Sequence, residues 1–160
     1  MKKSRMAWDP RKSEVENARR VLPVLAARFL EKSARAASGS VSPEDLHPFR
    51  LRAKRLRYTL ELFQSCYGPG LAERLAVLRA MQNFLGDIND CYTTRQLLEQ
   101  KHARRRPGWR SIAEFLDRRV EERVGEFRKF WGENFAAPGS RRWWVDYLKR
   151  FAGRNHSRRR

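Results

Sequence analysis

Acidic side chains are scarce in this chain. Its 160 residues hold 18 aspartates and glutamates against 36 lysines and arginines, a net charge of +18 and an isoelectric point near 11.2. Such a field attracts polyanions: nucleic acid, inorganic polyphosphate, acidic lipid or an acidic protein. Cysteine is scarce too. Cys66 and Cys91 form no CxxC pair and have no histidine at zinc-ligand spacing, which argues against a disulfide framework and a zinc site. Both lie among apolar residues of helical spacing, so buried reduced thiols and a cytoplasmic location are expected.

Long apolar runs are missing. The opening MKKSRMAWDPRKSEVE is positively charged but has no apolar stretch behind it, and no segment reaches the roughly 20 apolar residues of a membrane span. A soluble protein is expected. No stretch alternates with period two over a useful length, so no strands are predicted. The motifs of chemistry are absent as well: no Walker-type glycine loop, GxGxxG, HExxH or ExExK, and no carboxylate pair at catalytic spacing. Without a nucleophile, base and orienting group in sequence reach, a protein that binds and does not catalyse is expected, with no cofactor and no metal.

What is present concentrates in Leu46–Tyr67. At about 100° per residue, Leu46, Phe49, Ala53, Leu56, Leu60 and Phe63 fall on one narrow apolar seam. Beside it, His47, Arg50, Lys54 and Arg57 form a second line, ended by Glu61. This basic ridge covers about three turns, roughly 15 Å, and holds no acid between His47 and Arg57. Like charges three and four residues apart repel by a few tenths of a kcal/mol per pair. A merely solvated face would intersperse glutamates, as this chain does at 114–126. An extended anion lying along the helix explains the ridge; a generic basic surface helix is the alternative. Arginine far outnumbers lysine, which favours forked contacts to phosphate oxygens.

The remaining chain reads as helices separated by breakers. Asp9-Pro10 predicts a helix start, with apolar spacing running to about Ala37 and a kink at Pro23. Arg19 lies on the flank of its apolar face, and Arg28, Lys32 and Arg35 lie further round. SGSVSPED, 38–45, is a loop in which Ser42 or Asp45 caps the central helix. Tyr67-Gly68-Pro69-Gly70 stops it. A third helix is expected from Leu71 to Leu85, closed by Gly86 in a left-handed cap. A fourth would begin at Asp87, Asn89 and Asp90, with these acids either capping it or orienting an arginine of the ridge.

After Arg104-Arg105-Arg106-Pro107-Gly108, a long helix runs from Trp109 to about Phe135. Arg119 and Arg123 lie within its apolar sector, where an arginine needs a partner or a wet groove. Glu122, Glu126 or acids of neighbouring helices satisfy them, or they complete an anion site. RRWWVDYLKRF then forms a short amphipathic helix. Its Trp143 and Trp144 either close a core, stack on bases or touch lipid. The expected architecture is one all-α domain, residues 9–152, a bundle of five or six helices, with basic disordered tails at 1–8 and 153–160.

LHPFRLRAKRLRYTLELF at 46–63, followed by YG and then LGDIND, resembles the conserved histidine α-helical domain family, CHAD. The similarity covers chiefly residues 46–98, with looser agreement of ARRVL at 18–22 and FRKFW at 127–131, and it is closest to the second of the two repeats in full-length members. The resemblance implies an all-helical fold that binds inorganic polyphosphate on basic helix surfaces without hydrolysing it. It assigns His47, Arg50, Lys54, Arg55 and Arg57 as phosphate contacts, although the helical wheel turns Arg55 away from the ridge. Arg19, Arg119 and Arg123 join the candidate set from their positions on helix faces. The motif occurs once here, so either one repeat binds alone or two chains pair as a homodimer to rebuild the two-sided groove.

Two competing functions use the same charge. A nucleic-acid-binding protein would stack bases on Trp143 or Trp144, but no helix-turn-helix, RRM signature or zinc finger accompanies them. A scaffold for acidic partner proteins would not need a linear ridge.

Overall fold

The computed structural model describes residues 8–38, 42–100 and 107–153, with no strand among them. Residues 1–7 and 154–160, which make up most of the expected tails, lie outside the described residues, as does the Arg104–Arg106 run. Trp8 and Gly153, the innermost residues of the two tails, each make a contact with the bundle, although Trp8 is 51% exposed. The Trp8 ring lies 5.7 Å from that of Phe63, and the Gly153 N–H donates to the Cys66 carbonyl at 2.7 Å.

Helix α1 spans Glu14–Ser38. It begins four residues later than Pro10 because Ser13 and Glu16 make a reciprocal capping box that Asp9 lacks, its own third neighbour being Lys12. The Glu16 N–H donates to Ser13 Oγ, and the Ser13 N–H donates to Glu16 Oε2. Asp9 anchors a turn closed by Lys12 N–H, and the buried Asn17 side chain bonds both its N–H and its carbonyl.

Helix α2 spans Pro43–Leu62, with Ser42 as the N-cap accepting the Asp45 N–H. All six residues of the apolar seam are buried. The α-helix stops earlier than Tyr67, and a 3-10 turn, Gln64–Cys66, finishes the segment.

Helix α3 runs unbroken over Gly70–Gln100, 31 residues. The expected stop at Gly86 does not occur, and Gly86 is not among the glycines with positive φ. The reason is packing. Leu71, Leu75, Leu78, Met81, Leu85 and Ile88 are all buried on one continuous face, and burial of Ile88 outweighs the roughly 1 kcal/mol that an interior glycine costs. Asp87 therefore sits in mid-helix and caps nothing.

Helix α4 spans Trp109–Trp131 and passes into a π-helical turn, Gly132–Ala136. A second π-helical turn, Arg142–Asp146, leads directly into α5, Tyr147–Arg150. Among the described residues, five α-helices thus form the bundle. Helix α3 packs between α2 and α4, while α1 packs on α2 and on the C-terminal segment. Helices α3 and α4 are antiparallel, as shown by the pairs Phe84 with Phe130, Asp87 with Arg123 and Arg95 with Asp117.

The core is aromatic at its centre. The Phe49 ring lies 6.2 Å from Phe29, 5.6 Å from Phe127 and 5.5 Å from Trp131. Trp144 stacks on Phe135 at 5.2 Å, and its indole N–H donates to the Asn134 carbonyl.

Candidate functional site

The buried seam of α2 sets where its cations stand, because one face of the helix is committed to the core. The ridge lies on the flank toward α3. His47 and Lys54 are exposed, and Arg50 and Arg57 are half-buried. Arg57 donates to Glu61 one turn on at 3.2 Å, and Glu61 also accepts from Arg79 of α3 at 3.1 Å. The Arg57 guanidinium lies 4.5 Å from the Tyr58 ring centre. One acid thus serves two arginines at the C-terminal end of the ridge. His47, Arg50 and Lys54 have no ion pair among the described residues.

Arg57 Nε of α2 and Gln82 Nε2 of α3 are buried donors with no hydrogen-bond partner among the described residues. Leaving such a group unpaired costs about 1–3 kcal/mol. Both are N–H donors, so what each lacks is an acceptor oxygen. Chemically, the ridge offers positive charge and hydrogen-bond donors along a line.

Arg55 is not on that line. It lies on the opposite flank of α2, toward α1, where Arg52 and Arg55 face Arg28 and Lys32 of α1 around a cavity of about 170 Å³. Its apolar floor is Leu25, Phe29 and Leu56. Between the ridge and this groove runs the outer face of α2, with Leu51, Tyr58 and Leu62 exposed. Burial pushes the pKa of Arg52 down, and the charge of Asp45 partly offsets this. Arg52 Nε is buried without a hydrogen-bond partner among the described residues.

The other candidate arginines are placed elsewhere. Arg19 donates to the Ala152 carbonyl at 2.9 Å and so ties the C-terminal end to α1. Arg123 pairs with Asp87 of α3 at 2.8 Å and with Glu126 at 2.6 Å. The bond to Glu126 and the charge of Asp87 hold its pKa above the usual arginine value. Arg119 pairs with Glu122 at 3.7 Å. Acids meet the charge of both Arg119 and Arg123, and Asp87 orients Arg123, not an arginine of the ridge.

Arg28, Lys32 and Arg52 are the groove residues that sequence reasoning did not single out. Arg28 and Lys32 stand four apart beside Leu25 and Phe29, and Arg52 stands three before Arg55. That spacing was legible, but which flank of α2 is covered by α1 was not.

Trp144 is 1% exposed, so its ring is closed to a stacking base. Trp143 lies against it at 4.8 Å, edge to face, and takes the Arg74 guanidinium over its own ring at 3.9 Å. The pair closes the core. Cys66 is buried and Cys91 half-buried, and both are free thiols. Among the described residues no group of three or more His, Cys, Asp or Glu side chains is placed to hold a metal ion. No helix among the described residues is long and apolar enough to cross a membrane.

Comparison with known families matches the chain to the model described as CHAD domain, over residues 3–99 of the 160. No curated protein and no solved structure gives a significant match.

Proposed function

The chain belongs to the CHAD-domain family, and on that premise we propose that it binds inorganic polyphosphate along the α2 ridge without hydrolysing it. CHAD domains in general bind polyphosphate. The observation that carries the reading to particular residues is the line His47, Arg50 and Lys54, whose charge no acid meets among the described residues. Cations three and four residues apart, with a rise of about 1.5 Å per residue, meet successive phosphates of a flexible chain. Arg57, already bonded to Glu61, contributes only the charge of its half-buried guanidinium. Cleaving the chain would require a group that activates water. Arg50, Lys54 and Arg57 are donors only and cannot serve as that base, and His47, the one ridge side chain with an acceptor nitrogen, has no carboxylate bonded to it among the described residues to orient it.

Competition binding tests this directly. Long-chain polyphosphate is set against single- and double-stranded nucleic acid at matched phosphate concentration and about 0.15 M salt. Polyphosphate is expected to win clearly. Equal or better binding of nucleic acid would reduce the family relation to a shared fold and move attention to the remaining exposed aromatic and basic surface.

A homodimer goes with the proposal. Leu51, Tyr58 and Leu62 lie exposed beside the ridge, an apolar face that a second copy would cover while bringing its own ridge alongside. Sedimentation of the free chain is expected to show a dimer that Leu62→Glu converts to a monomer. A wild-type monomer at all concentrations would remove pairing from the reading. A cytoplasmic location at polyphosphate stores fits the same function.

A further inference from the structure

The groove between α1 and α2 is a second basic surface, separated from the ridge by the exposed apolar face of α2. We propose that it is a distinct site for a compact phosphate carrying two or more charges, met as free pyrophosphate or as the terminal phosphoryl group of a polyphosphate chain. The proposal does not rest on binding at the ridge.

Its charge is concentrated. Arg28 and Lys32 on one wall and Arg52 and Arg55 on the other supply four cations, each pair about one turn apart, and no acid lines the cavity among the described residues. The acid whose charge reaches Arg52, Asp45, is already bonded at the N-cap, where its carboxylate accepts the Ser42 hydroxyl. Its size is small. A cavity near 170 Å³ lies below the roughly 300–1,000 Å³ of sites that enclose drug-sized molecules, so it holds one or two phosphate groups.

The floor strengthens the site. Leu25, Phe29 and Leu56 exclude water from beneath the ligand, which raises the energy of each charge contact. Arg52 is positioned in advance. Its guanidinium lies 5.7 Å from the Phe49 ring centre, and its buried Nε has no acceptor among the described residues. An arginine so held can fork onto two phosphate oxygens. Internal units of a polyphosphate chain carry one charge each, whereas a terminal unit gains a second on ionisation with a pKa of about 6, as in a phosphate monoester. Four convergent cations therefore favour a chain end or a free diphosphate, whereas the linear ridge suits internal units.

Calorimetric titration of the full chain with pyrophosphate at about 0.15 M salt tests the site. The groove variant is R28Q/K32Q, both side chains being exposed so that folding is spared, with R52Q as a second variant. The ridge variant R50Q/K54Q removes the same charge. Saturable binding of one pyrophosphate per chain is expected, weakened about ten-fold or more in the groove variants, each ten-fold being about 1.4 kcal/mol, and changed less than about two-fold in the ridge variant. Absence of saturable binding, equal losses in both variants, or loss in the ridge variant alone would overturn the proposal.

Phosphorus NMR of a short polyphosphate added to R50Q/K54Q separates the two sources. Terminal resonances broadening before internal ones identify the chain end as occupant. Pyrophosphate binding without that preference identifies the free diphosphate.

Discussion

Glutamine at Arg50 and Lys54 is expected to weaken polyphosphate binding by about ten- to a hundred-fold, with the fold intact. Each side chain gives a charge-assisted hydrogen bond worth about 1.5–3 kcal/mol, discounted here because Lys54 is exposed and Arg50 half-buried. Neither has an intramolecular ion pair among the described residues, so their removal leaves no orphaned carboxylate behind. Stability should hold or rise by a few tenths of a kcal/mol, since like-charge repulsion four residues apart is relieved. The slope of log affinity against log salt should flatten by about 0.7 for each phosphate that is no longer neutralised, by analogy with single-stranded nucleic acid. The control is glutamine at Arg158, Arg159 and Arg160, which removes more charge from the C-terminal end. Equal losses from the two sets would mean that net charge alone binds, and the ridge would lose its role.

Alanine at Arg74 is expected to destabilise the fold by about 3 kcal/mol, the largest effect of any charged residue here. Arg74 is 4% exposed. Its Nε donates to the Trp143 carbonyl at 2.9 Å, one terminal nitrogen donates to the same carbonyl, and the other donates to Gly70 O at 2.7 Å. The guanidinium lies between the Trp143 and Tyr147 rings, 3.9 and 3.6 Å from their centres. It fastens the C-terminal segment onto the start of α3. Gly70 belongs to the same joint, because a Cβ there would come within 2.8 Å of the Tyr147 ring.

Burial pushes the pKa of Arg74 down to about 10. Because the folded-state value is the lower one, the cost of holding this charge is present in full below pH about 10 and is relieved only above it. Stability near neutrality therefore does not vary with this group. Methionine at 74, which fills the space without the charge, should cost less than alanine. Urea denaturation followed by tryptophan fluorescence measures all three forms, and an alanine variant within about 0.5 kcal/mol of wild type would show that the joint is not needed.

How much could be read in advance differs by element. The seam of α2 was legible because a helix with six apolar residues on one line has one way to face a core. The breaks at Gly68-Pro69-Gly70 and Pro107-Gly108 were legible because proline and a glycine free to take positive φ, as Gly108 does, act locally. Gly86 misled, since its cost is local but Leu85 and Ile88 bury against other helices, and burial is the larger quantity. Asp9 misled for the opposite reason: a better local partner, Glu16 with Ser13, lay only a few residues on.

The arginines show the limit most clearly. Arg50, Lys54, Arg55 and Arg57 lie within eight residues, and helical geometry alone divides Arg55 from the rest. That geometry depends only on the angle per residue, so it was settled before any neighbour was known. Whether each charge is free, paired or buried was not. Arg123 is met by Asp87 from 36 positions away in the chain, and Arg19 by the Ala152 carbonyl from 133. Arg28 and Arg52 share a cavity only because α1 packs on that flank of α2. Composition, periodicity and local caps are properties of adjacent residues, and they already specify an all-helical, strongly basic chain with a cationic line on one helix. Partnership between charges depends on distance in space, so the division into a ridge, a groove and structural arginines came only with the packing.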